Sequence, residues 1–167
     1  MQGYYYDTKI GRLFIAEEDN AITHVELWKK ETGDCGENTS SLKNCFGDVK
    51  LQETEILKEA AKQLIEYFNG ARKEFTLQLN PKGTSFQQKV WNALRDIPYG
   101  ETRSYRQIAE AVGNEKASRA VGMANHNNPI MLFIPCHRVI GANGKLVGYA
   151  GGLEVKEFLL RLEQQKS

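Results

Sequence analysis

The chain has 167 residues, with 22 Lys and Arg against 21 Asp and Glu, 41% hydrophobic and 26% charged residues. Such a composition fits one globular domain or two small lobes, able to bury about two-thirds of the unfolded surface. No apolar run approaches the ~20 residues of a membrane span, so a membrane partner is not expected. Met1–Asp7 lacks the basic and apolar stretches of a signal peptide. Cys35, Cys45 and Cys136 are an odd number with no close pair, which suits a reducing compartment and predicts a cytoplasmic protein. The near-neutral total hides an asymmetry. Residues 1–83 hold 11 basic and 14 acidic side chains, and residues 84–167 hold 11 and 7. A basic half suggests an anionic partner at one face, although charge alone also fits an ordinary solvated surface.

In chain order, Gly3–Asp7, Arg12–Glu18 and Ala21–Trp28 are rich in Tyr, Ile, Val and Phe and predict strands. Lys9-Ile10-Gly11 and Asp19-Asn20 supply the turns. Lys29–Lys50 is polar and turn-rich and reads as a mobile loop. From Glu53 to Asn69, Ile56, Leu57, Ala60, Ala61, Leu64, Ile65 and Phe68 recur at helical spacing, with Gly70 as the C-terminal stop. Glu74–Leu79 reads as one more strand. This half, residues 1–80, carries no obvious chemistry and is expected to be scaffold.

After Asn80-Pro81-Lys82-Gly83 the pattern turns helical, which sets a second region at 84–167. Thr84 or Ser85 caps a helix whose apolar face is Phe86, Val90, Trp91 and Leu94. Ser104 caps a second, with Tyr105, Ile108, Ala109 and Val112 inward and Gly113 closing it. A third runs from Lys116 to about Asn125. Short helices joined by a Gly-containing turn form a helix-turn-helix candidate, with a plain helical bundle as the alternative. On the third helix Ala117, Ser118, Ala120, Gly122 and Ala124 are small, and Arg119 projects from among them. Small residues allow close approach to a nucleic-acid groove, and one arginine could reach the base stack. Helix–helix packing, with Arg119 paired to Glu115, explains the same composition.

The densest chemistry lies in Ile134-Pro135-Cys136-His137-Arg138-Val139-Ile140. A thiol has an imidazole and a guanidinium as its next neighbours, and both favour the thiolate, the nucleophilic form. The proline stiffens the approach. A buried structural cysteine is the competing reading. His24, Cys35 and Cys45 lack metal-finger spacing, and no metal or cofactor is expected.

Taken together these blocks resemble the methylated-DNA–protein-cysteine methyltransferases, the O6-alkylguanine-DNA alkyltransferases of bacterial type. The resemblance rests on the Pro135–Arg138 run, Gly148–Leu153, Lys156–Leu160 with Glu163, Gly100–Tyr105, Ala117–Gly122 and Asn128-Pro129. It implies an α+β fold, with an N-terminal ribonuclease-H-like β-meander and helix lobe and a mostly helical C-terminal lobe with a helix-turn-helix. It further implies a single chain that acts on double-stranded DNA containing alkylated bases, O6-alkylguanine and also O4-alkylthymine. Cys136 would take the alkyl group once and irreversibly. His137 would receive the thiol proton through a water, Glu163 would orient His137, and Asn128 would brace the turn. Tyr105 would help rotate the nucleotide and donate a proton to the base, and Arg119 would fill the vacated stack. Ser104, Ala117, Ala120, Gly122 and Arg138 would contact DNA. Tyr149, Ala150, Gly151, Val139 and Lys156 would form the base pocket. Ala150 stands where some relatives carry serine, which removes one hydroxyl contact. Two rivals remain from the residues alone. One is a cysteine hydrolase, which would need a turn at Cys136-His137 for the two side chains to meet. The other is a DNA-binding regulator with an incidental cysteine.

Overall fold

The structure is a computed structural model that describes residues 1–28, 47–146, 148–149 and 152–165. The chain divides into two compact units, Met1–Asn80 and Pro81–Ser167. Most of the segment read as a mobile loop, with Cys35 and Cys45, lies outside the described residues.

In the first unit, β1 (Gln2–Thr8), β2 (Gly11–Glu18) and β3 (Ala21–Leu27) form an antiparallel meander. The β2–β3 turn is Asp19-Asn20, with φ of 52° and 62°. Both residues are left-handed, as a two-residue turn matched to strand twist requires. A short β4 (Lys50–Leu51) pairs parallel to β1, giving the order β3-β2-β1-β4. Helix α1 (Glu55–Phe68) starts at Thr54, whose side chain accepts from the Leu57 N–H, and ends at Asn69, with Gly70 at φ 76° beyond it. It buries Leu57, Ala60, Leu64 and Phe68, while Leu13, Ile15, Ile22 and Val25 are buried from the sheet. Glu74–Leu79 does not form the expected strand. Only Leu79 bridges Ile22, with Gln78 O and the Asn80 N–H bonded to Ile22. The segment is held by Gln63 of α1 instead, which bonds both the N–H and the hydroxyl of Thr76.

The second unit carries α2 (Ser85–Arg95), β5 (Arg103–Ser104), α3 (Tyr105–Ala111), α4 (Ser118–His126), a 3-10 turn at Cys136–Arg138, β6 (Val139–Ile140) and α5 (Leu153–Gln164). Thr84 and Ser104 each build a reciprocal capping box, with Gln87 and Gln107. Helix α4 begins at Ala117 with no side-chain cap. Its buried positions are Val121, Ala124 and Asn125, whereas Arg119 and Ala120 face solvent. No ion pair joins Arg119 to Glu115 among the described residues. Strands β5 and β6 pair in parallel, Arg103 with Val139 and Ser104 with Ile140. That pairing ties the start of α3 to the chain just beyond Cys136. No helix among the described residues is long and apolar enough to cross a membrane.

Candidate active site

Tight backbone turns deliver Cys136. Leu132 sits at φ 75°, and the Phe133 N–H bonds Met131 O across it. This left-handed γ-turn is strained for a leucine, and strain of this kind persists where the surroundings enforce it. Pro135 (φ −80°, ψ 66°) makes the opposite turn, with the Cys136 N–H bonded to Ile134 O. Asn128 braces the whole excursion: its Nδ2 donates to Ile134 O at 2.9 Å, and its Oδ1 accepts from the Ile130 N–H at 3.0 Å. Cys136, His137 and Arg138 then complete one 3-10 turn. The two reactive neighbours therefore sit on a turn, not a strand, and all three side chains are buried.

Helix α5 supplies their partners from one face. Lys156 and Glu163 are two turns apart and both buried. Glu163 Oε2 accepts from His137 Nε2 at 2.6 Å, and Arg138 Nε donates to Glu163 Oε1 at 2.7 Å. With the ring's Nε2–H directed at the carboxylate, Nδ1 carries the lone pair. Arg138 also donates to Ile97 O at 2.7 Å and lies against the Tyr99 ring. Lys156 Nζ donates to Val139 O at 2.6 Å.

These contacts set the protonation states. Burial raises the Glu163 carboxyl, but the hydrogen bonds from His137 and Arg138 and the charge of the Arg138 guanidinium outweigh it and hold it at about 2. Burial pushes His137 down, against the pull of Glu163, so it rests as a neutral imidazole. The thiol departs from the sequence expectation. Burial drives Cys136 up to about 11, and the Asn128 side chain, Lys156 and the Cys136 backbone N–H only partly offset this. Proximity to His and Arg in sequence does not make a resting thiolate, because Arg138 is spent on Glu163. Burial pulls the Lys156 ammonium down, with Cys136 acting the other way. Tyr105 is pushed up by burial and by the charge of Cys136, which puts its phenol within electrostatic reach of the sulfur. Tyr149 is pushed up by the same two causes and by Glu163.

The structure thus brings Cys136, His137, Glu163, Asn128, Tyr105, Val139, Lys156 and Tyr149 around one turn. Ser104 caps α3, and Gly122 faces the Tyr105 ring, where an added Cβ would lie 3.9 Å from its edge. Ala117 is the N-cap of α4, and Ala120 and Arg119 form its open face. Arg138 is a correction: it was expected on DNA, and it is buried and committed to Glu163, Ile97 and Tyr99. Ala150 and Gly151 lie outside the described residues. Among the described residues no group of three His, Cys, Asp or Glu could hold a metal ion. The sequence reading gave no site role to Asn125, Trp91 or Tyr99; Trp91 was expected only on an apolar helix face and Asn125 only near a helix end. Trp91 Nε1 donates to Ala124 O at 2.8 Å, and Asn125 Nδ2 reaches Cys136 O at 3.4 Å. Their signal, a polar atom on an otherwise apolar helix face, is too common to select them.

A buried, braced cysteine beside an imidazole–carboxylate pair thus shares the second unit with a capped helix pair whose arginine face is open. Residues 85–165 match the DNA-binding domain of 6-O-methylguanine DNA methyltransferase, and residues 2–81 match its ribonuclease-like domain. The chain belongs to this family. It is 48% identical to the methylated-DNA–protein-cysteine methyltransferase of Methanosarcina acetivorans, over 96% of this chain and 97% of that one. It is 51% identical to the constitutive methylated-DNA–protein-cysteine methyltransferase of Bacillus subtilis, over 95% and 92%. The crystal structure of Mycobacterium tuberculosis OGT in complex with DNA superposes with a TM-score of 0.83 at 40% identity, covering 98% of this chain and 93% of that one.

Proposed function

We propose that this protein repairs alkylated DNA by direct reversal, moving the alkyl group of O6-alkylguanine, and of O4-alkylthymine, from duplex DNA onto Cys136. The observation that carries the reading is the 2.6 Å His137–Glu163 hydrogen bond beside a buried cysteine on a braced turn. It works in the cytoplasm as a single chain. The 1–80 lobe is scaffold and the 84–167 lobe binds DNA and accepts the alkyl group.

Arg119 enters the stack from the open face of α4 as the damaged nucleotide turns out, and Ser104, Ala117, Ala120 and Gly122 let the backbone close on the groove. Flipping costs a few kcal/mol, which the inserted arginine and the pocket offset. Tyr149, Val139 and Lys156, with Ala150 and Gly151, receive the base. The step is a displacement at saturated carbon: the sulfur–carbon bond forms as the carbon–O6 bond breaks. The Cys136 proton passes through a water to His137 Nδ1, the Glu163 carboxylate stabilises the resulting imidazolium, and Tyr105 gives a proton to the leaving purine. With the thiol pushed up to about 11, deprotonation belongs to the reaction itself rather than to the resting protein. A thioether does not hydrolyse, so one chain acts once, and the chemistry calls for no metal or cofactor.

Intact-protein mass spectrometry after incubation with methylated duplex DNA tests this. One methyl per chain, mapped to Cys136, is expected. Methyl on another cysteine, or repeated turnover by one chain, sinks the reading. Arg119→Ala should slow repair of duplex DNA by about tenfold or more and leave reaction with free O6-benzylguanine unchanged, since a free base needs no flipping. Equal losses on both substrates would remove Arg119 from the flipping step.

A further inference from the structure

The chain has three methionines, and they sit in different surroundings. Met1 packs beside the cluster of Phe14, Ala16 and Val49, and its sulfur accepts the Thr23 hydroxyl at 3.4 Å. Met131 is 6% exposed, within the turns that deliver Cys136. Met123 is 62% exposed, more than any other large hydrophobic side chain among the described residues. Thioether oxidation follows access, so an oxidant in solution meets Met123 before the other two. The nucleophile itself is better protected. Cys136 is buried, and burial keeps it as the thiol, which oxidises less readily than the thiolate.

Helix α4 explains why Met123 is left outside. Val121, Ala124 and Asn125 face the core, and Trp91 Nε1 bonds Ala124 O, which fixes the helix by that side. The opposite side carries Arg119, Met123 and His126, all exposed, at spacings of four and three. Met123 therefore stands one turn beyond the arginine on the same stripe, with Ala120 beside it. Its apolar chain gains most when something else covers this face. Against DNA it would lie on the sugar edges, where a flexible thioether fills an irregular surface. A sulfoxide would not. It puts a strong acceptor oxygen where the DNA backbone also presents acceptors, the phosphate and sugar oxygens. That oxygen would lose its water and find no donor.

We propose that Met123 is an oxidation site that governs work on duplex DNA: a peroxide converts its thioether to the sulfoxide, and α4 then seats poorly on the groove. The inference rests on the alkyl-transfer reading above and adds a modification to it. A sulfur lone pair attacks the near oxygen of hydrogen peroxide, and the sulfur–oxygen bond forms as the O–O bond breaks. Sulfur gives up two electrons. The hydroxide that leaves takes the proton from the attached oxygen and departs as water. Methionine sulfoxide reductases restore the thioether, so this loss is reversible, unlike alkylation of Cys136.

The test treats the full chain with limiting hydrogen peroxide, then with a thiol reductant, which reverses sulfenic acid and disulfide but not sulfoxide. Peptide mapping places the added oxygen. Intact mass follows methyl gain on Cys136 from methylated duplex DNA and benzyl gain from free O6-benzylguanine. Oxygen should appear on Met123 ahead of Met1 and Met131. The duplex rate at sub-saturating DNA should fall by at least about fivefold, the free-base rate should hold, and a methionine sulfoxide reductase should restore the duplex rate. Met123→Leu, which keeps an apolar side chain without the sulfur, should lose no duplex rate on the same treatment. First oxygen on another methionine, a fully oxidised Met123 with an unchanged duplex rate, or an equal loss in Met123→Leu would overturn the inference and leave alkyl transfer standing. Equal losses on duplex and free base would also overturn it, by placing the damage at the cysteine. Failure of the untreated protein to gain a methyl from duplex DNA would overturn the alkyl-transfer reading and the inference with it.

Discussion

The two units bury polar groups for different ends. In the first, Gln63 is 1% exposed and uses both ends of its amide, on Glu59 and on Thr76, to hold the chain after α1. Its ion pairs, such as Arg72–Glu66 at 3.2 Å, stay partly in water. In the second unit Arg138, Lys156 and Glu163 are buried with His137 around one cysteine. Burying charge is costly unless each group is paired and hydrogen-bonded, and apolar residues of similar volume often do as well for stability. A fold that needed only a core would not gather these groups. Their convergence on Cys136 marks the second unit as the place where stability is traded for chemistry.

Breaking Glu163 should give the largest contrast. Glu163→Gln leaves the Arg138 guanidinium buried without its carboxylate, a loss of roughly 3–5 kcal/mol. The partly exposed counterpart, Glu66→Gln, should cost less than about 1 kcal/mol. Urea unfolding of both variants checks this, and equal losses would erase the distinction between the units. The same carboxylate sets an acid limit. Glu163 is held at about 2 against an ordinary 4.5, so the fold favours its ionised form. The stabilisation is complete above about pH 4.5 and disappears as pH falls towards 2, an effect of about 3 kcal/mol. Glu163→Gln should flatten that part of the stability profile.

Alkylation of Cys136 should act next in size. The sulfur lies among Ile134, Val139 and other buried neighbours, and an added methyl overfills a packed site, typically by ~1–3 kcal/mol. The melting temperature should fall by roughly 2–4 °C per kcal/mol, and further for benzyl than for methyl. Melting curves taken before and after complete reaction decide it. An unchanged value would mean that the turn accommodates its product without strain.

The sequence made local chemistry legible. Thr84 and Ser104 cap the helices expected of them, Asp19-Asn20 turns the meander, and the Pro135–Arg138 run marks the turn that carries the buried cysteine. What depended on distant partners was not legible. Arg138 looks like a phosphate contact until Glu163, 25 residues on, is seen against it. Cys136 looks activated until its burial is known. Asn125 is one amide among several near the turn, and its unpaired oxygen exists only in three dimensions. Glu74–Leu79 has strand-like composition, but a side-chain amide from α1 takes the backbone N–H of Thr76. Periodicity and capping are set by neighbours in the chain; pairing of buried charge is set by the fold.

The smallest expected effect lies at the far side of the comparison, on the sheet of the first unit. The Tyr6 hydroxyl donates to Glu53 Oε2 at 2.8 Å in an exposed position, and its ring packs at 5.5 Å from Tyr4. Burial, then the hydrogen bond and charge of Glu53, push the phenol well above its ordinary range, so it stays a neutral donor at any working pH. Tyr6→Phe removes that hydrogen bond and keeps the ring contact. Water replaces the lost partner on Glu53, so the cost should be about 0.5–1 kcal/mol. If the first unit is scaffold alone, methyl transfer to Cys136 should be unaffected, because the side chains assigned to the reaction above all belong to the second unit. The check is a urea unfolding curve together with the rate of Cys136 methylation on duplex DNA. A rate changed by more than about threefold, with stability changed by less than 1 kcal/mol, would give the first unit a part in the reaction and end the division drawn between the two.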